Sequence, residues 1–269
     1  MPQDQMSELR PQNYLDERPA ADFQEFHERS RTHPAGWIYE LVRLILTPIA
    51  LLIYRCRAIS VPNVPGDGPL ILAPNHFSNM DHFFAGVFLR RKIRFMGKSQ
   101  LFRQNRILDY ILLIGGVFPV RRGHRDEEAF KTAHAILDNG GCLLIYAEGG
   151  RSRSGKLGDP RPGVGRLALE SGVPVVPVAI HGSQSVRAWK RLVFPKVTVQ
   201  YGEPLVLDRV AAPTREQQLE ASTEIFDRVR SMYVALEENG RKGVVTALQA
   251  RGQRVASSQV QTGRKPSRA

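Results

Sequence analysis

Residues 70–81 of this 269-residue chain read LILAPNHFSNMD, and this stretch decides the fold class. It begins with four apolar residues, 70–73, which is typical of a strand covered on both faces of a largely parallel sheet. A two-residue loop then leads to His76, and a helix is predicted to begin near Asp81. A buried strand, a short loop and a helix in this order predict an α/β unit.

Strand-like and helical patterns alternate from this stretch to about residue 201. A helix is predicted over residues 126–139, with Asp126 as N-cap and two glycines after it, and another over residues 163–171. A longer amphipathic helix is predicted from a capping box, Thr214-x-x-Gln217, to about residue 240. The predicted fold is therefore a single α/β domain with a largely parallel or mixed sheet flanked by helices. Its further strands are predicted at residues 93–96, 117–120, 142–146, 175–180 and 197–200.

The chain is strongly basic, with a formal net charge of +12 and a pI near 10.1. This balance suggests a partner that is nucleic acid, an anionic membrane surface or an acidic small substrate. The two cysteines, Cys56 and Cys142, argue against a disulfide framework or a structural zinc site, and they favour a reducing compartment. No secretory signal is visible in the polar first 36 residues.

The two ends of the chain differ in composition from the α/β part. Residues 1–34 are polar and are predicted to be a mobile tail. Residues 35–58 are predicted to be a membrane-associating amphipathic helix, because an apolar run lies between aromatic residues; an ordinary buried helix is the alternative. The uncharged part of that run, residues 44–54, is shorter than the roughly 20 residues that a simple transmembrane helix needs. The α/β domain is predicted over residues 59–240. Residues 241–269, with seven basic and no acidic side chains, are predicted to be a disordered tail that is solvated or binds anionic lipid.

His76 and Asp81 are the candidate catalytic pair. Active-site residues of parallel sheets lie at the carboxyl ends of strands, and His76 follows its strand directly. A carboxylate that accepts a hydrogen bond from one imidazole nitrogen fixes the tautomer and leaves the other nitrogen free to take a proton. The pair therefore predicts a general base. A metal site that includes the adjacent His82 is the alternative, but the remaining histidines show no ligand spacing, and no metal is predicted.

Two glycine-rich segments bring arginines to strand ends. Residues 115–121 read GGVFPVR, and residues 146–152 read YAEGGRS. Glycine permits close backbone approach, and arginine pairs with phosphate through two parallel hydrogen bonds. These segments therefore predict a site for an oxyanion such as a phosphate monoester, with a solvated basic loop as the alternative for the second. The candidate binding residues are Arg121, Glu148, Gly149, Gly150 and Arg151, with Glu148 orienting an arginine or contacting a hydroxyl.

Two further residues are candidates for substrate binding. Lys98 lies just beyond the predicted strand 93–96 and could add a third cation; a surface lysine is the alternative. Pro177 ends the run VPVVP at residues 173–177, and a proline that cannot donate to the ladder indicates a strand start or a bend near a pocket wall. A purely structural role for Pro177 is as compatible with the pattern as a role in binding an acyl chain.

In this order, residues 75–81, 115–121, 146–152 and 173–177 resemble the four blocks of the glycerolipid acyltransferases, in particular the bacterial 1-acyl-sn-glycerol-3-phosphate acyltransferases. The resemblance covers roughly residues 35–205. In the third block the chain has Ala147 where proline is usual and Gly150 where threonine is usual.

This resemblance implies a role for each block. His76 and Asp81 match the HX4D catalytic pair; Arg121 matches the arginine of the second block, and Pro177 the proline of the fourth. Glu148, Gly149 and Arg151 match the block that, with the second, binds the phosphate and glycerol of the acceptor. The resemblance also implies acyl-CoA or acyl-carrier protein as co-substrate, no metal or other cofactor, and membrane attachment through an N-terminal two-helix or amphipathic element.

The predicted activity is acyl transfer from such a thioester to the free hydroxyl of 1-acyl-sn-glycerol-3-phosphate, which yields phosphatidic acid in phospholipid biosynthesis. The expected location is the cytoplasmic face of the plasma (inner) membrane. One alternative keeps the chemistry and changes the acceptor to another lysolipid. A second alternative is a basic nucleic-acid-binding protein, which is disfavoured because the basic C-terminal residues are not interleaved with aromatics; nucleic acid is not a predicted partner.

Overall fold

The computed structural model describes residues 15–152, 154–186 and 194–261. At its centre lies one seven-stranded sheet in the order β1-β7-β6-β2-β5-β3-β4. All six predicted strands are confirmed, although β5 is shorter than expected; β1 was missed because its three residues form no apolar run. The strands are β1 Arg57–Ile59, β2 Leu70–Pro74, β3 Ile93–Lys98, β4 Val117–Val120, β5 Cys142–Leu144, β6 Val175–His181 and β7 Thr198–Tyr201.

The sheet is mixed, as predicted, and mostly parallel. Strand β2 pairs in parallel with β5 and β6, and β3 pairs in parallel with β4 and β5. Strand β7 is antiparallel to β6, and β1 is parallel to β7. The carboxyl ends of β2 to β6 therefore meet at one edge of the sheet, where α/β proteins place their ligands.

Helices cover both faces of the sheet, because neighbouring residues of each buried strand point to opposite sides. On β2, Leu70 and Leu72 pack in one core with Phe84 of α3, and Ile71 packs in the other with residues of α5, α6 and α7. The helices are α1 Gln24–Thr32, α2 Trp37–Pro48, α3 Asp81–Gly86, α4 Arg106–Ile114, α5 Glu127–Asp138, α6 Pro162–Ser171 and α7 Arg215–Gln261.

The predicted helix caps are present. The side chain of Asp126 accepts a hydrogen bond from the backbone N–H of Ala129 at the start of α5. Before α7, the backbone N–H of Thr214 donates to Gln217 Oε1 at 2.8 Å, and the N–H of Gln217 donates to Thr214 Oγ1 at 3.2 Å. This reciprocal pair satisfies N–H groups that have no partner inside the helix.

The N-terminal segment differs from the mobile tail predicted for residues 1–34. Residues 20–32 form a 3-10 turn followed by α1, and Phe23 and Phe26 of this segment are buried. The Phe26 ring meets the edge of the Phe102 ring at a centroid distance of 5.0 Å. Two buried aromatic side chains suffice to anchor a helix whose composition is otherwise polar; residues 1–14 lie outside the described residues.

The C-terminal segment also differs from prediction. Helix α7 continues past a break at Gly240, whose φ of 61° is left-handed, to Gln261. Val244 is buried against a core that includes Tyr233, Leu236 and Phe77, so the chain just after the break packs on the domain. The disordered tail predicted for residues 241–269 is therefore helical over 241–261, and residues 262–269 lie outside the described part.

The segment predicted to associate with a membrane forms α2 and one π-helical turn, Ile49–Ile53. Ile38 and Ala50 are buried, whereas Leu44 and Leu52 are 72% and 75% exposed. In the described parts of the chain no single helix is long and apolar enough to cross a bilayer. One helix pair, Ala20–Thr32 with Trp37–Ile53, passes that test only when taken together, and it is bent by 85°.

Candidate functional site

The loop after β2 is held in place by an asparagine side chain. Asn75 Nδ2 donates to the carbonyl of Ile180 at 3.0 Å, and the backbone N–H of Ile180 donates to Asn75 Oδ1 at 2.7 Å. This two-bond clamp ties the end of β2 to β6 and leaves His76 at the carboxyl edge of the sheet. This role of Asn75 could not be predicted from the sequence, because its partner Ile180 lies 105 positions away along the chain.

His76 and Asp81 form the pair that their spacing predicts. His76 Nδ1 lies 2.9 Å from Asp81 Oδ2, and Asp81, the first residue of α3, is fully buried. The same carboxylate oxygen also accepts the backbone N–H groups of Phe77 and Ser78, each at 2.7 Å. Because Oδ2 can only accept, Nδ1 carries the imidazole proton, and the basic lone pair of neutral His76 is on Nε2.

The surroundings of His76 favour its neutral form. Burial lowers the pKa of His76 from its ordinary value of 6.5; the hydrogen bond to Asp81 acts in the opposite direction, and the charges of Arg122 and Arg151 lower the pKa further. At neutral pH the imidazole is therefore unprotonated and able to act as a base.

Tyr146 forms one wall of the site. Its ring stacks on the imidazole of His76, with centroids 3.6 Å apart and planes within 11° of each other. Burial raises the pKa of Tyr146 well above 10, and its hydroxyl has no hydrogen-bond partner among the described residues. Tyr146 was not predicted as a site residue, because only the tertiary structure shows that its ring faces His76.

Glu148 connects the third block to the first. Its Oε1 accepts the backbone N–H of His76 at 2.7 Å, and its Oε2 accepts the backbone N–H of Gly158, also at 2.7 Å. Burial raises the pKa of Glu148 to about 6, against the opposing effect of these two hydrogen bonds. The predicted role of Glu148 was to orient an arginine or contact a hydroxyl; in the structure one carboxylate oxygen binds the backbone of His76 and the other binds the backbone of Gly158.

The loop that carries Gly149, Gly150 and Arg151 lies next to His76. The backbone N–H of Ser152 donates to the carbonyl of His76 at 2.9 Å. Gly149 has a left-handed φ of 65°, and an added Cβ there would lie 3.1 Å from Cγ of Arg161. A side chain at Gly149 would therefore be strained in both backbone and contacts, which explains a glycine at this position of the block.

Arg121 follows β4 and is held by two neighbouring segments. Its backbone N–H donates to Asp126 Oδ2 at 2.7 Å, and its Nη1 donates to the carbonyl of Arg18 at 3.2 Å. Its Nε lies 3.9 Å from Asp126 Oδ2, and the side chain is 18% exposed. The next residue, Arg122, was not selected from the sequence, yet its charge acts on both His76 and Tyr146.

The last two predicted binding residues lie on strands of the same sheet. Lys98 is the exposed final residue of β3, in register with Val120 of β4, the residue that directly precedes Arg121. Pro177 is buried within β6, opposite Ala73 of β2, and its carbonyl accepts the N–H of Gly202. Pro177 therefore lies inside the strand, whereas the sequence suggested a strand start or a bend.

An apolar cavity of about 160 Å³ adjoins the catalytic pair. His82, the neighbour of Asp81, lies in its wall, and burial lowers the pKa of His82 to about 4. The His82 ring contacts the rings of Phe83 and Phe95, so His82 has a packing role. The cavity is otherwise formed mainly by apolar residues of α2, α4, β3 and β4, among them Ile38, Val42, Leu46, Ile111, Leu112 and Val117.

Comparison with known proteins connects this geometry to a family. Residues 57–181 match the model of the acyltransferase family. The chain is 26% identical over 136 residues to a chloroplastic 1-acyl-sn-glycerol-3-phosphate acyltransferase of Brassica napus. The aligned residues are 49% of this chain and 39% of that protein. The chain is also 27% identical over 173 residues to a probable 1-acyl-sn-glycerol-3-phosphate acyltransferase of Mycoplasma genitalium. The aligned residues are 61% of this chain and 64% of that protein. The matched region thus spans less than two thirds of the length of either relative.

A solved structure shows the same fold. The crystal structure of the 1-acyl-sn-glycerophosphate acyltransferase PlsC from Thermotoga maritima superposes with a TM-score of 0.56 at 21% sequence identity. The superposition covers 81% of this chain and 89% of that one. The residues that match the family model, 57–181, run from the start of β1 to the end of β6 and include His76, Asp81 and Arg151. The predicted resemblance to the glycerolipid acyltransferases is therefore confirmed over residues 57–181.

Proposed function

We propose that this protein transfers a fatty acyl group from an acyl thioester to the free hydroxyl of 1-acyl-sn-glycerol-3-phosphate, which yields phosphatidic acid. The observation that carries the proposal is the His76–Asp81 pair, in which Asp81 fixes the tautomer and Nε2 is free. The relatives that share the family are named for this reaction.

The reaction proceeds by direct attack. His76 Nε2 removes the proton from the acceptor hydroxyl as its oxygen attacks the thioester carbonyl, and Asp81 stabilises the imidazolium that forms. The tetrahedral intermediate collapses, the carbon–sulfur bond breaks, and the imidazolium returns its proton to the leaving thiolate. No covalent acyl-enzyme is formed in this sequence, and the general-base step contributes about 10²–10⁴-fold to the rate.

The phosphate of the acceptor binds to the arginines at the carboxyl edge of the sheet. Arg121 and Arg151 are the principal cations, Lys98 lies on the adjacent strand end, and Glu148 with Gly149 and Gly150 shapes the loop. The influence of the Arg151 charge on His76 supports this placement, because the phosphate and the reacting hydroxyl of one small acceptor must be bound close together. Holding the hydroxyl beside the base lowers the barrier by several kcal/mol.

The apolar cavity accommodates part of an acyl chain. Its wall contains His82, which follows Asp81 directly, so the cavity begins next to the catalytic pair. Its mainly apolar lining suits a hydrocarbon chain and disfavours a charged group.

The membrane is the source of the acceptor, and two helices present an apolar face to it. Exposed apolar residues lie on α2 and its π-helical turn, and also on α4, which the sequence analysis did not select; they include Leu44, Leu52, Ile107, Tyr110 and Ile111. Exposed Arg55 and Arg106 adjoin this face and suit anionic headgroups. The protein lies on the cytoplasmic face of the plasma (inner) membrane, where it meets acyl-CoA or acyl-carrier protein.

The test is a panel of acceptors combined with arginine variants. Wild-type protein should acylate 1-acyl-sn-glycerol-3-phosphate in preference to lysolipids with larger headgroups, and a reversed preference would favour another lysolipid acceptor. Arg121→Ala and Arg151→Ala should each raise the acceptor KM by about 10- to 150-fold, the value of a charge-assisted hydrogen bond of about 1.5–3 kcal/mol. Arg125→Ala is the matched control, since Arg125 lies near Arg121 but pairs only with Glu127 at the surface among the contacts described. A rise in the donor KM instead would assign these arginines to the thioester carrier, which also carries phosphates.

A further inference from the structure

The first described residues form a strap across the loops that carry the candidate phosphate-binding side chains. We define this N-terminal strap as residues 16–18. Asp16 pairs with Arg18 through Oδ2 and Nη2 at 2.6 Å, and the Asp16 side chain is only 5% exposed. Ser99 Oγ donates to the same carboxylate at 2.5 Å, immediately after Lys98 at the end of β3.

The guanidinium of Arg18 fastens the strap to the loop after β3. Its Nη1 donates to the carbonyl of Phe102 at 3.0 Å, and its Nη2 donates to the carbonyl of Ser99 at 2.9 Å. Together with the Asp16 pair, these bonds use both terminal nitrogens of Arg18 inside the protein. The hydrogen bond from Arg18 also holds the pKa of Asp16 well below its ordinary value, so the carboxylate is ionised at neutral pH.

The main chain of the strap faces the loop after β4. The carbonyl of Arg18 accepts a hydrogen bond from Arg121 Nη1 at 3.2 Å, and the carbonyl of Asp16 accepts one from His124 Nε2 at 3.1 Å. The strap thus joins the two neighbouring loops, and one of its carbonyl groups binds the guanidinium of Arg121 directly.

A guanidinium whose position is fixed in advance is prepared to bind an oxyanion. Asp126 binds the backbone N–H of Arg121 and places a carboxylate 3.9 Å from Nε, and the strap accepts the hydrogen bond from Nη1; among the described residues Nε itself has no hydrogen-bond partner. An arginine side chain loses rotamer entropy when it is fixed. If the strap fixes it before the ligand arrives, the acceptor's phosphate binds without that loss.

We infer that the N-terminal strap positions Arg121 for the phosphate of the acceptor, so that Asp16 and Arg18 act in substrate binding without touching the substrate. This inference rests on the proposed function, in which Arg121 binds that phosphate. The strap lies in the segment that the sequence predicted to be a mobile tail, and none of its residues belongs to the four blocks.

The first experiment compares Asp16→Asn with the matched control Glu25→Gln in the full chain. Glu25 pairs with Arg103 at 3.2 Å and so also ties the N-terminal segment to the loop after β3, but at the surface and away from Arg121. Asp16→Asn should raise the KM for 1-acyl-sn-glycerol-3-phosphate by about 3- to 10-fold, the effect of one lost hydrogen bond. The donor KM and the Glu25→Gln variant should stay within twofold of wild type. An equal loss of kcat for every substrate at unchanged acceptor KM would overturn the inference.

Arg18→Lys is a second, milder variant in case Asp16→Asn does not fold. It keeps the charge beside Asp16 but loses the fork that binds two carbonyls, and it should raise the acceptor KM by about threefold. An acceptor KM equal to that of wild type in folded Arg18→Lys would overturn the inference.

A double-mutant cycle separates this inference from the proposed function. If the strap acts through Arg121, Asp16→Asn should have no further effect on the acceptor KM in the Arg121→Ala background. The same 3- to 10-fold rise in both backgrounds would show that the strap acts elsewhere and would overturn the inference alone. An unchanged acceptor KM in Arg121→Ala by itself would instead refute the phosphate-binding role in the proposed function.

Discussion

Replacement of Asp81 by asparagine should remove most of the turnover while the loop around it keeps its shape. Asp81 Oδ2 accepts three hydrogen bonds, from His76 Nδ1 and from the backbone N–H groups of Phe77 and Ser78. An asparagine carbonyl can take the place of Oδ2 and keep the two backbone bonds. What it cannot supply is the negative charge that stabilises the imidazolium of His76.

The size of the effect follows from these contacts. A hydrogen bond to a charged group contributes about 1.5–3 kcal/mol and a neutral one about 0.5–1.5 kcal/mol, so the loss of the charge alone weakens the His76 bond by about 1 kcal/mol. During proton transfer the loss is larger, because the charge on the ring then has no counterion in a buried site. If the amide turns its NH2 group towards Nδ1, the wrong tautomer is favoured as well. We therefore expect kcat to fall by about 10²–10⁴-fold, the whole contribution of a general base.

The assay is thiol release at saturating donor and acceptor, with a thermal melt of each variant. Glu170→Gln is the matched control, because it also removes a carboxylate from a histidine, His134, at 2.8 Å, but on α5 and α6 away from the site. That variant should keep kcat within twofold. A folded Asp81→Asn protein whose kcat lies within tenfold of wild type would refute the role assigned to the pair.

Three further outcomes are expected. Because burial and two neighbouring arginines lower the pKa of His76, the neutral base persists on acidification, and the acid limb of kcat should lie below pH 6.5; a limb above that pH would exclude His76 as the base. Gly158→Ala should lower kcat by about tenfold, since an added Cβ would lie 2.8 Å from Oε2 of Glu148 and disturb its bond to His76, and unchanged kinetics would show that this bond is dispensable. Leu44→Asp and Ile107→Asp should each weaken flotation with anionic liposomes without lowering the melting temperature, because both residues are more than 70% exposed; full flotation of Ile107→Asp would remove α4 from the membrane-binding face.

The sequence predicted those features of the fold that depend on local signals. Six strands were predicted because fully buried strands read as apolar runs, and α5 and α7 because their capping residues are near in sequence to the groups they cap. His76 and Asp81 could be paired from the sequence for the same reason, since Asp81 lies only five positions after His76 and a strand end fixes the first.

The described residues at the two ends differ from the predicted tails, because composition does not report long-range packing. Phe23 and Phe26 bury their rings although the surrounding residues are polar, and Val244 finds the core beyond a helix break. A short polar segment is stabilised when a few large side chains reach a distant pocket, and that pocket is formed by residues far away in sequence.

The sequence by itself determined the α/β class, the candidate catalytic pair and the positions of the basic blocks, because each depends on residues that are neighbours along the chain. Only the tertiary structure decided what surrounds them: Tyr146 against the His76 ring, Glu148 bound to the backbone of His76, and Arg18 bound to Arg121. Residues 18 and 121 are joined by one hydrogen bond across 103 positions of the chain. Contacts of that kind arise from the order of strands in the sheet, which local hydrophobic periodicity does not encode.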